Sequence, residues 1–327
     1  MRLLFLKYLF FLFLFCNSWL IRAQQLPLYS DYLMNGFVIN PAIAGNEGYT
    51  TISLSNRIHW IGLQESPQTY VLSAQGRFLR ESYRVKNNPF TQKREVFSRS
   101  GRVGWGAYLY NDHSGLINRT GAQFTYAYHL FINNRQLSFG LALNTFQFSI
   151  AQDEMKPRDP EPLFLDATYA NRVLVPDANV GTYLLSANSF VGFSISNLFE
   201  SRIKIGSDTY DYRIFRHYYL MGGQRFNDEE IFSCEPSFLL KGTERMVFQA
   251  DLQIREYYKH DYYMGLVFRT GSAIGLQFGL RWDRLYISYA YDYTLSSIQV
   301  HTMGSQELNL AIKFGDNARR YKWLIRY

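Results

Sequence analysis

The chain of 327 residues carries 34 Lys and Arg against 27 Asp and Glu, and aromatic residues make up 17% of it, with 26 Tyr and 26 Phe. Beyond the first twenty or so residues no run approaches 18 apolar positions, which excludes a helical membrane protein, and the length accommodates one large all-β domain or two ordinary ones. High aromatic content at a mean hydropathy of only −0.21 is the combination expected of a transmembrane β-barrel, whose lipid-facing residues are diluted by polar lumen residues.

Arg2 and Lys7 precede or open an apolar block running to Cys16, and Ala23 offers a small residue for cleavage, so residues 1–23 are expected to form a Sec signal peptide. Phe15 stands where a lipoprotein site needs a small residue. Removing Arg2, Lys7 and Arg22 with this segment leaves 31 bases against 27 acids, a net charge of +4. Cys234 is then the one remaining cysteine, so no internal disulfide is expected, and barrel closure takes over the stapling role by pairing every strand edge.

Residues 24–48, QQLPLYSDYLMNGFVINPAIAGNEG, are rich in Pro, Asn and Gly without a sustained period and read as a leader or plug-like segment. Alternation starts at once afterwards. Ile52, Leu54, Asn56 and Ile58 oppose Thr51, Ser53, Ser55, Arg57 and His59, and Tyr70, Leu72, Ala74, Gly76 and Phe78 oppose Thr69, Val71, Ser73, Gln75 and Arg77. Residues 80–100 have no period and are strongly basic. Further strands are expected at 101–111, 119–131 and 136–149, and then a proline-rich loop over 150–176. Beyond it the pattern returns at 178–186, 189–197, 213–226, 230–240, 245–257, 260–270, 273–281, 284–295 and 304–315. The clearest instance is LYISYAYDYTL at 285–295, with Leu285, Ile287, Tyr289, Tyr291, Tyr293 and Leu295 on one face and Tyr286, Ser288, Ala290, Asp292 and Thr294 on the other.

The pattern predicts an all-β fold, an up-and-down antiparallel transmembrane β-barrel of about 14 strands. It spans residues 49–315 and is followed by an aromatic and basic tail, 316–327. A soluble sandwich would need buried inner faces free of Arg and Asp. Arg57, Arg77, Asp251, Arg255 and Asp292 fall on inner faces, where they either line a channel or pair with one another. An even strand number puts both termini in the periplasm, so the second connection, residues 80–100, is periplasmic. Counting Arg102, it carries seven bases, among them Arg84, Lys86, Lys93, Arg94 and Arg99, against two acids. It is either a tolerated insertion or a docking loop for an acidic surface of a periplasmic partner.

The segment YSDYLMNGFVINPAIAGNEG, then Arg57, Trp60, Gly62, Pro67 and Thr69, then Gly104, Gly106, Asn111, Asp112 and Gly115, then TYAYHL at 125–130, follow one another as in a known family. SISNL at 194–198, RHYYLMGG at 216–223, EPSFLLK at 235–241, YAYDYT at 289–294 and GSQEL at 304–308 continue the series. In this order they resemble the PorP/SprF family of type IX secretion system outer-membrane proteins, over nearly the whole mature chain. His59 stands where the family pattern has Gln, and Gln306 where it has His. The resemblance implies an outer-membrane barrel of the type IX export and gliding machinery, helping export or surface attachment of proteins with a C-terminal sorting domain. Its partners would be outer-membrane lipid, those secreted proteins and other subunits of the system, periplasmic ones included, and no nucleic acid. The motif positions that become candidate partner contacts are Asn40, Pro41, Gly45, Arg57, Trp60, Asp112, Tyr291, Asp292, Tyr293 and Glu307.

Residue chemistry adds no catalytic, cofactor or metal site to this. His59, His113, His129, His217, His260 and His301 are scattered without zinc-like spacing. Gly104 and Gly106 lack the third glycine and helix of a nucleotide loop. Asp153, Glu154, Asp159 and Glu161 lack calcium-loop spacing. No local signature brings Ser and His together as a lipase-like barrel requires. A diffusion porin or small-molecule transporter is the alternative function, because it too needs polar inner faces.

Overall fold

The computed structural model describes residues 30–34, 36–78, 102–132, 135–150, 172–204, 211–227 and 231–314. The signal segment, the leader up to residue 29 and the loop with Arg84, Lys86, Lys93, Arg94 and Arg99 lie outside these residues, as do Asp153, Glu154, Asp159, Glu161 and the tail 316–327.

Fourteen antiparallel strands close into one barrel. They are β1 (Thr50–Ile58), β2 (Gln68–Phe78), β3 (Val103–Ser114), β4 (Ile117–Ile132), β5 (Arg135–Ile150), β6 (Arg172–Leu185), β7 (Ser189–Ser196), β10 (His217–Gln224), β11 (Phe232–Thr243), β12 (Phe248–Tyr258), β13 (Tyr262–Arg269), β14 (Ala273–Trp282), β15 (Leu285–Thr294) and β16 (Ser305–Phe314). Each pairs with its sequence neighbours in the barrel, and β16 returns to pair with β1 from Thr50↔Phe314 to Ile58↔Gln306. Closure leaves no strand edge open, as a chain that cannot hydrogen-bond to lipid requires. The remaining strands, β8 (Arg202–Lys204) and β9 (Asp211–Arg213), form a separate hairpin in the connection between β7 and β10.

The period of two is obeyed all round. In β12, Leu252 and Ile254 are exposed while Asp251, Gln253 and Arg255 are buried, and in β16 Leu308, Leu310, Ile312 and Phe314 are exposed while Glu307, Asn309 and Ala311 are buried. The exposed face is the apolar one, which inverts the pattern of a water-soluble sheet. The start of β1, the end of β16 and the connections β4–β5, β6–β7, β10–β11, β12–β13 and β14–β15 share one end. With an even strand number this is the end expected to face the periplasm. The turn at 259–261 has Lys259 and His260 at φ +51° and +59°, the twist of a tight hairpin.

Two sequence expectations are corrected. Residues 172–176 belong to β6, not to the loop before it, and Pro176 sits opposite Thr145 of β5. Pairing of β6 with β7 begins only at Val180↔Ile195, so Pro176 occupies an overhang whose other side needs no ladder bond, and there proline is tolerated. The strand expected over 213–226 begins at His217. Arg213 pairs with β8, and the Arg216 guanidinium donates to the Leu198 carbonyl. Ile214 packs with Phe146, Phe148 and Val175 of the β5–β6 overhang.

Leu252 lies at the middle of β12 with half its surface facing outward. Leu252→Arg is expected to destabilise the barrel by about 2–4 kcal/mol, with Leu252→Val far milder. Guanidinium unfolding of the detergent-solubilised protein measures both, and equal effects would refute the register.

Candidate functional site

The polar interior does not stand alone: the leader Ser30–Gly48 lies inside the barrel and is bonded to its inner wall on three sides. It contains a single helical turn, α1 (Gly36–Ile39), and a 3-10 turn, Pro41–Ile43. At its start, Arg57 donates to Asp292 Oδ2 and Glu307 Oε2, both at 2.8 Å, and to Ser30 Oγ. Ser30 in turn donates its hydroxyl to Asp292, while its carbonyl accepts from Gln277 Nε2 at 2.7 Å. Asp31 accepts from Arg255 and from the Tyr263 hydroxyl, the latter at 2.6 Å. Arg269 joins Asp292 (3.1 Å) to Asp251 (3.2 Å), and Lys241 reaches Asp251 at 2.6 Å.

Four bases, Arg57, Arg255, Arg269 and Lys241, thus meet four acids, Asp31, Asp251, Asp292 and Glu307. The wall supplies only three of those acids. The leader brings the fourth, so its docking neutralises the cluster. Register explains how distant residues meet. Arg57 stands directly across from Glu307, Asp251 from Arg269, and Glu235 from Arg255. Glu235 also accepts from Arg225 at 2.8 Å.

The second anchor is the Asn-Pro-Ala motif. Asn40 caps the 3-10 turn by accepting from Ala42 N at 3.0 Å, and its Nδ2 donates to the Thr182 and Phe193 carbonyls of β6 and β7. The Ser194 hydroxyl donates to the Ile39 carbonyl at 2.8 Å. The wall here has no side chains to spare: a Cβ at Gly140 would strike the Pro41–Ala42 backbone, and one at Gly181 would strike the Asn40 side chain.

The third anchor is Ala44-Gly45-Asn46. Gly45 has φ +68° and a Cβ there would run into the Gly76 backbone, so only glycine fits. Its N–H donates to Gln75 Oε1 at 3.2 Å and its carbonyl accepts from Arg77 Nε at 2.9 Å. Arg77 also donates to the Asn46 carbonyl, His129 Nε2 contacts the Ala44 carbonyl, and Lys313 pairs with Glu47 at 2.6 Å. Between the anchors Phe37 is fully buried and packs edge-on against Tyr108 over Gly106.

The motif residues therefore divide. Asn40, Pro41 and Gly45 dock the leader, and Arg57, Asp292 and Glu307 form one ion cluster with it. Asp112 is elsewhere, accepting from Thr69 Oγ1 at 2.8 Å. Tyr291 and Tyr293 brace the outer loop between β15 and β16, the first donating to the Met303 carbonyl at 2.6 Å and the second accepting from Gln299. Trp60, at φ +50°, donates its backbone N–H to Ser305 Oγ and so ties the first outer loop to β16.

Of the inner-face charges expected from the sequence, Arg57 and Asp292 pair with each other, Asp251 pairs with Arg269 and Lys241, Arg255 pairs with Asp31 of the leader, and Arg77 donates to leader carbonyls. Ser30, Asp31, Arg269 and Lys241 were not among the candidate contacts, although Ser30, Asp31 and Lys241 lie within the family segments. Arg269 and Lys241 could be found by extending the alternation, whereas the two leader residues carry no periodic signal. Sequence reading also missed that Ser138 Oγ and His129 Nδ1 meet at 2.8 Å. Both are fully buried, and the other ring nitrogen faces a backbone carbonyl, so the pair serves to seat Ala44.

Just past β1, His59 Nε2 accepts from Arg57 Nε at 2.8 Å. Burial first, then the guanidiniums of Arg57 and Arg269, hold its pKa well below the ordinary imidazole value, so it stays neutral. The unfolded chain takes up a proton near pH 6.5 that the folded chain refuses, so this residue costs stability as pH falls below about 6.5. His59→Gln is expected to flatten that decline in denaturant titrations at decreasing pH.

Breaking the cluster from one side strands the other charges. Asp292→Asn should destabilise the barrel by about 3–5 kcal/mol, measured by guanidinium unfolding. Gly140→Val should leave the barrel closed and release the leader, seen as new chymotrypsin cleavage at Tyr32 or Phe37.

The sequence matches the family described as Type IX secretion system membrane protein PorP/SprF over residues 21–312. No curated protein matches it. Among solved structures, the barrel is similar to the Ralstonia pickettii toluene transporter TbuX (9% identity, TM-score 0.45, covering 85% of this chain and 92% of that one). It is also similar to the Acinetobacter baumannii outer membrane protein Omp33 (8% identity, TM-score 0.42, covering 83% of this chain and 100% of that one).

Proposed function

This chain belongs to the type IX secretion system membrane protein PorP/SprF family and resides in the outer membrane, and from that premise we propose that it works as a closed barrel that contacts proteins and not as a diffusion pore. The observation that carries this reading is the leader. Ion pairs, backbone hydrogen bonds and glycine contacts hold it to the inner wall around the circumference, an arrangement a porin would have to undo before any solute passed.

On this reading the barrel is a platform in the export of secreted proteins that carry a C-terminal sorting domain, or in their attachment to the surface. Its contacts are made from the two ends. The periplasmic end holds the basic stretch with Arg84, Lys86, Lys93, Arg94 and Arg99, suited by charge to an acidic face of a periplasmic subunit. The outer end presents a cross-linked loop surface. There Glu200 pairs with Arg213 and with Arg216 (2.6 Å to the latter), and Arg216 also reaches Glu244 at 3.1 Å. The hydrogen bond from Arg213 lowers the Glu200 pKa below its ordinary value, keeping this carboxylate charged.

Two measurements test the proposal together. Purified wild-type protein in planar bilayers should be electrically silent, and deletion of residues 30–48 should open steady conductance. Deleting the gene should remove a subset of proteins from the secreted fraction, and charge reversal at Lys93, Arg94 and Arg99 should weaken recovery of periplasmic partners. A large steady pore in the wild type with an unchanged secreted proteome would establish the porin alternative instead.

A further inference from the structure

The connection between β15 and β16 lies at the outer end of the barrel. It holds a 3-10 turn, Ser297–His301, and from Leu295 to Gly304 it contains no Lys, Arg, Asp or Glu. Two of its apolar side chains are nearly bare: Val300 is 85% exposed and Met303 75%, against 37% to 48% for Tyr289, Tyr293 and Leu308 on the lipid-facing wall beside it. An apolar surface left open in this way marks a contact.

Hydrogen bonds fix which side of the wall this connection covers. Tyr291 and Tyr293 flank the buried Asp292 on β15 and so point towards lipid. Their hydroxyls hold the connection from that side: Tyr291 donates to the Met303 carbonyl at 2.6 Å, and Gln299 donates to Tyr293. Gly304, at φ +97°, passes so close to Tyr291 that a Cβ would come within 3.0 Å of the hydroxyl oxygen. The connection therefore lies over the lipid-facing side of β15 and not over the lumen. Tyrosines at the rim of a barrel sit at headgroup level, which sets its depth. Its backbone suits that depth, because polar groups there need partners within the protein. The Met303 N–H donates to the Ile61 carbonyl at 2.7 Å, the Gly304 carbonyl accepts from the Ile61 N–H at 2.8 Å, and the Gly304 N–H donates to Thr302 Oγ1 at 3.1 Å.

From this we infer that the connection is a membrane foot: the side chains of Val300 and Met303 enter the outer leaflet while their backbone stays at headgroup level. The occupant follows from continuity with the lipid interface of the wall. That interface runs along Tyr289, Tyr291, Tyr293 and Leu295 and passes into the turn without meeting a charged residue. Moving valine and methionine side chains out of water is favourable there. Through Ile61 the foot is bonded to the connection that leaves β1, so it holds the outer end of the β1–β16 seam at one depth in the membrane. The inference rests on the membrane location alone and is independent of whether solutes pass the barrel.

The test places a nitroxide at Val300→Cys of the full-length protein in a Cys234→Ala background, verified as a closed barrel by its faster migration when unheated. The labelled protein is reconstituted in vesicles of phosphatidylethanolamine and phosphatidylglycerol. Collisions with oxygen, which concentrates in lipid, are compared with collisions with a water-soluble nickel chelate. Leu276→Cys on the lipid-facing wall and Gln64→Cys on the exposed loop 59–67 supply the lipid and water references. The oxygen-to-nickel ratio at position 300 should stand several-fold above that at Gln64, on the side of Leu276. A ratio equal to that at Gln64, or protection from both reagents, overturns the inference. A photo-crosslinking residue at Met303, in cells, should capture lipid, and capture of a protein in its place overturns it as well.

Discussion

Arg57 sits on the seam of the barrel. It belongs to the first strand, faces Glu307 of the last, reaches Asp292 on the strand beyond and holds Ser30 of the leader. Three structural problems meet in that one guanidinium. The sheet must close on itself, carboxylates in a confined interior must be neutralised, and a segment without regular structure must be fixed in place. Each of its bonds spans well over two hundred residues of sequence apart from those to Ser30 and His59, so the cluster records the completed topology and no local preference. Buried ion pairs seldom add stability over apolar packing, but removing one member is costly. In a barrel whose outer face already takes the apolar residues, polar groups are what the inner face has to pack with.

Much of the architecture was legible in the sequence because a strand with one face in lipid writes its period into side-chain chemistry. The fourteen barrel strands fall close to where alternation placed them, and the turns at 186–188 and 259–261 fall where Ser, Asn, Lys and His interrupt it. Failures came where another rule prevailed. Pro176 argued for a loop, yet it lies on a strand overhang with one unpaired side. Arg213 falls at the start of the strand expected over 213–226, but it pairs with Arg202 of β8 instead.

The site was legible in halves. Alternation assigned Arg57, Arg255 and Asp292 to the inner face, and the motif order singled out Asn40, Pro41, Gly45 and Glu307. What joined the two sets was invisible, because contacts between an aperiodic leader and a periodic wall leave no pattern on either. The inner glycines show why. Gly140 and Gly181 offer alternation no side chain to register, and their meaning lies in the Pro41–Ala42 backbone and the Asn40 side chain that take up the space.

The span of those leader contacts has a consequence for how the molecule is made. The leader precedes every barrel strand in the chain, but its partners include Asp292, Glu307 and Lys313 on the last two strands. Docking cannot finish until the final strand is in place. The leader's contacts and the pairing of β16 with β1 are thus completed by the same last strands, so closure of the wall and seating of its core are one event in the finished topology.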